Sequence, residues 1–198
     1  EAKGRRIIIA TFSSLLARLQ EIITLAHQHG RKVALTGRSL EENVQLAREL
    51  GYLQVPENIL VDAQAKVRPE NLVILATGSQ GEPRSALNKM AEGSHRQVQI
   101  RPGDTIIISG GAIPGNEEDI SRMINKLFER GANVIYGPMA TVHGSGHGNR
   151  GDMRAMLEAV QPRYLIPVHG ESRHLYLHRQ LAQEVGMAPE QVFILKEG

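Results

Sequence analysis

The sequence predicts an α/β fold, a mostly parallel β-sheet flanked by helices. Short Val- and Ile-rich runs, apolar on both faces, alternate along the chain with longer stretches of helical periodicity. Polar, glycine-bearing triplets follow several of the apolar runs, as the loops at the C-terminal ends of parallel strands do. With 198 residues, 41% of them hydrophobic, the chain is long enough to bury a core without covalent staples.

Each element follows from local pattern. "RIIIATF" (6–12) reads as a buried strand, and 13–30 as a helix with apolar residues at 15, 16, 19, 22, 23 and 26. Ser13 or Ser14 is expected to cap that helix and Gly30 to close it. "KVALTG" (32–37) is the next strand; the spacing Ser39–Glu42 predicts a capping box opening a helix over 39–52. Strands are predicted at 71–79, 104–111, 133–138, 163–170 and about 191–195, with helices at 84–93, 117–132, 151–161 and 173–186. The glycine-bearing loops at the predicted strand ends are Thr36–Gly37–Arg38, Thr77–Gly78–Ser79, Ser109–Gly110–Gly111, His143–His147 and His169–Gly170–Glu171.

Composition narrows the function classes. The absence of cysteine excludes a disulfide framework and any thiolate zinc site. No apolar run approaches the roughly 20 residues of a membrane span. A net charge of +2 does not mark a globally basic nucleic-acid binder, although residues 1–38 hold seven Lys/Arg against two Asp/Glu. Glu1 in place of Met, and an end just after a strand-like run, suggest a piece of something longer.

Three stretches carry candidate chemistry. In "TGSQGEP" (77–83), Gly78 and Gly81 let backbone amides approach an anion and Ser79 adds a hydroxyl, while Glu82 opposes simple phosphate capture; the same glycines equally suit a plain strand-to-helix turn. In "HGSGH" (143–147), two imidazoles flank Gly144, Ser145 and Gly146, a set that can donate to phosphate and move a proton near neutral pH. His169 of "PVHGE" should emerge at the same sheet edge, where neutral imidazole is a common metal ligand and Glu171 or a carbonyl can orient it. The pairs His27–His29 and His174–His178 read as a solvated helix end and a helix surface.

Taken together, "ATFSS", "KVALTGRS", "TGSQGEP", "HRQVQIRPGDTIIIS", "IPGNE", "HGSGHGN" and "PVHGE" resemble the ribonuclease J family of β-CASP metallo-β-lactamases, in order along the whole chain. The resemblance implies a β-CASP domain over 1–150 and, over 151–198, a short C-terminal part of a metallo-β-lactamase αββα fold. It implies a cytoplasmic ribonuclease, a homodimer or homotetramer without membrane attachment, acting in rRNA processing and mRNA decay. Such an enzyme cuts RNA internally and also degrades it 5′ to 3′ from a 5′-monophosphate end, with two Zn2+ ions activating water. Carried over residue by residue, His169 is a zinc ligand. His143, Gly144, Ser145, Gly146 and His147 contact substrate phosphate, and His147 protonates the leaving oxygen. Ser79 holds the 5′ phosphate, and Glu82 joins it.

The departures matter as much. The family's H-x-H-x-D-H zinc motif does not occur here, and Leu15 stands where relatives carry Asn. The chain by itself is therefore expected neither to hold two zincs nor to cut RNA. The competing class is a non-catalytic nucleic-acid-binding module. A dinucleotide enzyme would need an acidic residue about 20 positions after a glycine fingerprint, and none is found.

Overall fold

A computed structural model describes residues 5–137 and 148–195. The chain divides into two compact units, Glu1–Gly144 and Ser145–Gly198. The first unit is built on a six-stranded parallel sheet of order β3-β2-β4-β1-β5-β6. Its strands are β1 (Ile7–Ala10), β2 (Lys32–Thr36), β3 (Leu60–Val61), β4 (Leu72–Ala76), β5 (Thr105–Ile108) and β6 (Asn133–Ile135). The connecting helices are α1 (Leu16–Gln28), α2 (Arg38–Glu49), α3 (Ala86–Glu92) and α4 (Glu117–Glu129).

The strands are apolar on both faces because both are covered. Ile7, Ile9, Val33, Val73 and Leu75 pack with Leu19, Ile23 and Ala26 of α1 and Leu40, Val44 and Ala47 of α2. Ile8, Ala10, Ile74, Ala76, Ile106 and Ile108 pack on the opposite layer, with Leu87 and Met90 of α3 and Met123 and Leu127 of α4. The helical contributions recur at spacings of three and four, which is how one stripe of a helix meets a sheet. At the N-terminal edge of the sheet a buried ion pair joins β1 to the turn before β5: Arg6 Nε donates to Asp104 Oδ1 at 3.1 Å and Nη2 to Oδ2 at 2.5 Å.

Several local expectations are corrected. The capping box at Ser39 does not form, because α2 starts one residue earlier, at Arg38, after Gly37 at φ +115. No side chain caps α1, whose first residue follows Leu15. Strand β3, two residues long, owes its existence to pairing with Val33 and Ala34.

In the second unit, α5 (Arg150–Val160) and α6 (Ser172–Glu184) pack around Leu157, Leu181, Ala182 and Val192. Asn149 caps α5, accepting from the Gly151 and Asp152 amides at 2.7 and 3.2 Å. The strands predicted at 163–170 and 191–195 reduce to a single parallel bridge, Leu165–Val192. A ladder needs a partner at every step, and here only Leu165 has one: the Leu165 amide donates to the Gln191 carbonyl at 2.8 Å, and the Phe193 amide to the Leu165 carbonyl at 2.9 Å. Tyr164, Ile166, Val168 and Phe193 remain exposed beside it. No described helix is long and apolar enough to cross a membrane.

Candidate functional site

Parallel pairing sets the ends of β2, β4, β1 and β5 side by side, with Ala10 opposite both Ala76 and Ile108 and Thr36 opposite Ala76. Thr36, Thr77, Thr11 and Ser109 therefore form a row along the C-terminal edge, at the usual strand spacing of about 4.8 Å. Thr11 is buried there, its hydroxyl without a partner among the described residues. Arg18 of α1 reaches the same edge and donates to the Ser109 carbonyl at 2.9 Å.

The loop 77–83 is closed on itself. The first amides of α3 are taken up internally: Ala86 donates to Thr77 Oγ1 at 3.2 Å, Leu87 to the Thr77 carbonyl at 3.0 Å, and Asn88 to Ser85 Oγ at 3.3 Å. With those donors satisfied, little of the helix-end attraction for an anion remains. Gly81, at φ +72, lies against α4, where a Cβ would come within 2.7 Å of the Asp119 and Ile120 backbone. Gln80 ties this loop to the next, donating to the Gly111 carbonyl at 2.8 Å and accepting from the Ile113 amide at 2.9 Å. Ser79 is 1% exposed and lies against Gly110. Glu82 is exposed, and its carboxylate accepts from the Gln80 amide at 3.2 Å.

One imidazole serves this edge that sequence reasoning passed over. His95 Nδ1 accepts from the Gln97 and Val98 amides at 3.3 and 3.1 Å, which leaves Nε2–H to donate to Thr36 Oγ1 at 3.0 Å. Burial, with Lys89 adding to it, holds His95 below its ordinary value. Both effects favour the neutral ring that this bonding pattern requires.

In the second unit, His169 lies in a cleft of about 640 Å³, together with Arg150, Met153, Val168, His174 and His178. The backbone there is unusual: His169 has φ +65 and Gly170 φ +124, before Glu171 at the N-cap of α6. Glu171 carries its carboxylate toward Arg173, 2.9 Å away. His174 is exposed and His178 half-buried on α6, in keeping with the helix surface read from sequence, and that surface forms part of the cleft wall. A hydrolytic zinc site takes about three protein ligands. Among the described residues no cluster of three or more His, Asp or Glu is placed to hold a metal, so His169 does not make such a site with its described neighbours. His143, Gly144, Ser145, Gly146 and His147 lie outside the described residues.

Two family models match the sequence: "Ribonuclease J, beta-CASP domain" over residues 4–127, and "Zn-dependent metallo-hydrolase RNA specificity domain" over residues 131–195. Among similar proteins, ribonuclease J 1 of Streptococcus pyogenes serotype M3 is 40% identical over 195 residues, covering 98% of this chain and 35% of that protein. Ribonuclease J of Thermus thermophilus is 42% identical over 194 residues, covering 98% and 34%. Ribonuclease J of Helicobacter pylori 26695 is 40% identical over 200 residues, covering 100% and 29%. The chain spans about a third of the length of these relatives.

Proposed function

Because the chain belongs to the ribonuclease J family, we propose that it supplies the substrate-phosphate side and one metal ligand of a zinc-dependent ribonuclease whose remaining ligands lie outside these residues. The similarity that runs through 98–100% of the chain at about 40% identity carries this reading. We assign 1–150 to the β-CASP domain and 151–198 to the returning metallo-β-lactamase part. The substrate is RNA, cut internally and from 5′-monophosphate ends, in rRNA processing and mRNA decay. The enzyme is a cytoplasmic homodimer or homotetramer.

Each residue has a stated task. His143, Gly144, Ser145 and Gly146 hold a phosphate of the RNA backbone through amides, a hydroxyl and an imidazole. His147 delivers a proton to the leaving oxygen, a task suited to a group that titrates near neutral pH. Ser79 and Glu82 contact the 5′ end; for Ser79 this requires the segment at Gly110 to move aside, given its burial. His169 offers an imidazole to zinc, whose chemistry when bound is to lower the pKa of water toward neutrality.

The test uses the full-length protein on 5′-monophosphorylated RNA, with and without a chelator, beside His147→Ala. Cleavage should stop with chelator, and the variant should lose about 100-fold or more in rate, as general-acid groups do. Activity that survives chelation removes the metal, and a variant that cuts normally removes His147. Tight RNA binding with no cleavage under any condition would make the protein a binding module.

A further inference from the structure

The turn that presents His169 is strained and held from outside. A non-glycine residue in the left-handed region costs roughly 1–3 kcal/mol and persists where its surroundings over-determine it. Here His169 is such a residue, at φ +65, and Gly170 follows it at φ +124, a backbone value that only glycine adopts without strain. The turn runs directly into α6, whose N-cap residue Glu171 has a main-chain N–H with no acceptor inside the helix. In many helices the residue three positions on, a Glu or Gln, takes that N–H. In α6 the position belongs to His174, and its ring does the same work: the Glu171 amide donates to His174 Nδ1 at 3.0 Å. The His174 amide returns a bond to the Glu171 carbonyl at 2.8 Å. The same side chain lies against the turn, since a Cβ on Gly170 would stand 3.1 Å from Nδ1 and 3.2 Å from the His174 Cβ. Accepting at Nδ1 places the proton of neutral His174 on Nε2.

We propose that His174 is a positioning residue, whose ring clips the His169–Gly170–Glu171 turn and so fixes the direction in which His169 presents its imidazole. The inference rests on the reading of His169 as a zinc ligand. It adds the group that holds the ligand rather than another ligand. His174 acts through the Glu171 amide and by contact with Gly170, so the property that matters is an acceptor at the third position of α6, not an imidazole as such.

Three variants of the full-length protein test it: His174→Leu, which keeps comparable bulk without an acceptor; His174→Gln, which restores an acceptor of the usual capping type; and His169→Ala as the reference. The readouts are zinc retained against a graded chelator, hydrogen exchange at the Glu171 amide in metal-free protein, and the melting temperature as a check on folding. His174→Leu should weaken zinc retention about 10- to 100-fold, the range for residues that orient metal ligands, with faster exchange at Glu171. His174→Gln should recover most of both. Zinc retention by His174→Leu within about twofold of the parent would overturn the proposal, as would His174→Gln behaving like His174→Leu. If His169→Ala retains zinc like the parent, the ligand reading itself fails. The exchange rate in metal-free protein then still reports whether the clip exists.

Discussion

Two arginine–carboxylate pairs, one in each unit, share bond lengths and differ in nearly everything else. In the sheet unit, Arg6 and Asp104 are 7% and 5% exposed at the side chain; in the second unit, Arg150 and Glu184 are 58% and 43% exposed. Arg6 also donates to the Gln99 carbonyl at 2.6 Å, and Asp104 accepts the Arg101 amide at 2.8 Å, so the buried pair is saturated with partners. Glu184 is shared between Arg150 and Arg154, and its hydrogen bond to Arg150 leads in holding its carboxyl below the usual range. The sheet unit thus closes a register with a charge pair it cannot release cheaply. The second unit holds α5 to α6 with one that water screens.

The comparison breaks most visibly if the buried partner is removed. Arg6→Ala leaves the Asp104 charge unpaired and should cost about 3–5 kcal/mol. Arg150→Ala should cost far less, since its partner is screened by water. Urea midpoints of the two variants check this, and comparable losses would mean that burial does not separate the pairs. A smaller contrast lies within the sheet unit. Gly81→Ala combines a positive φ with a Cβ 2.7 Å from backbone, whereas Gly30→Ala has positive φ and open space. Backbone strain of roughly 1–3 kcal/mol applies to both, so the excess loss in Gly81→Ala measures how rigidly the 77–83 loop is seated on α4.

The smallest effect is a pH dependence. His95 is held below its usual value of 6.5, so the unfolded chain binds a proton that the folded one resists. Stability from this source is complete above that value and falls as pH descends through it toward the lowered one. Urea midpoints between pH 7.5 and 5 should show the decline, and His95→Gln should remove part of it. An unchanged slope in the variant would mean that His95 does not carry the pH dependence.

The sheet unit was largely legible in the sequence because its signals are local. Ile7–Ile8–Ile9 and Leu72–Val73–Ile74 announce buried strands, and the spacing Leu19–Ile23–Ala26 announces a helix face. Strand β3 was not legible, since nothing in Leu60–Val61 distinguishes it until β2 lies alongside. The reverse error at 163–170 has the same cause: apolar, β-rich residues announce a strand, but pairing makes one, and only Leu165 is paired. In the site, His169 was found by its neighbours in "PVHGE", while His174 was passed over as helix surface. A capping box is sought as Glu or Gln, and a histidine at that position is the signal that could have revealed it.

The placement of β1 in the middle of the sheet has a consequence for how the protein is made. Its neighbours in the sheet are β4 and β5, with Ile7 in register with Val73 and Thr105, and not β2, the next strand in sequence. During synthesis at about 5–20 residues per second, β1 leaves the ribosome roughly 3–13 s before the first residue of β4 that can pair with it. In that interval Ile7, Ile8 and Ile9 have no strand to lie against, and α1 with β2 must form beside an unfilled gap. β4 then enters between two strands already translated and pairs β1 on one side; the other side of β1 and the face carrying Ile8 and Ala10 wait for β5, α3 and α4.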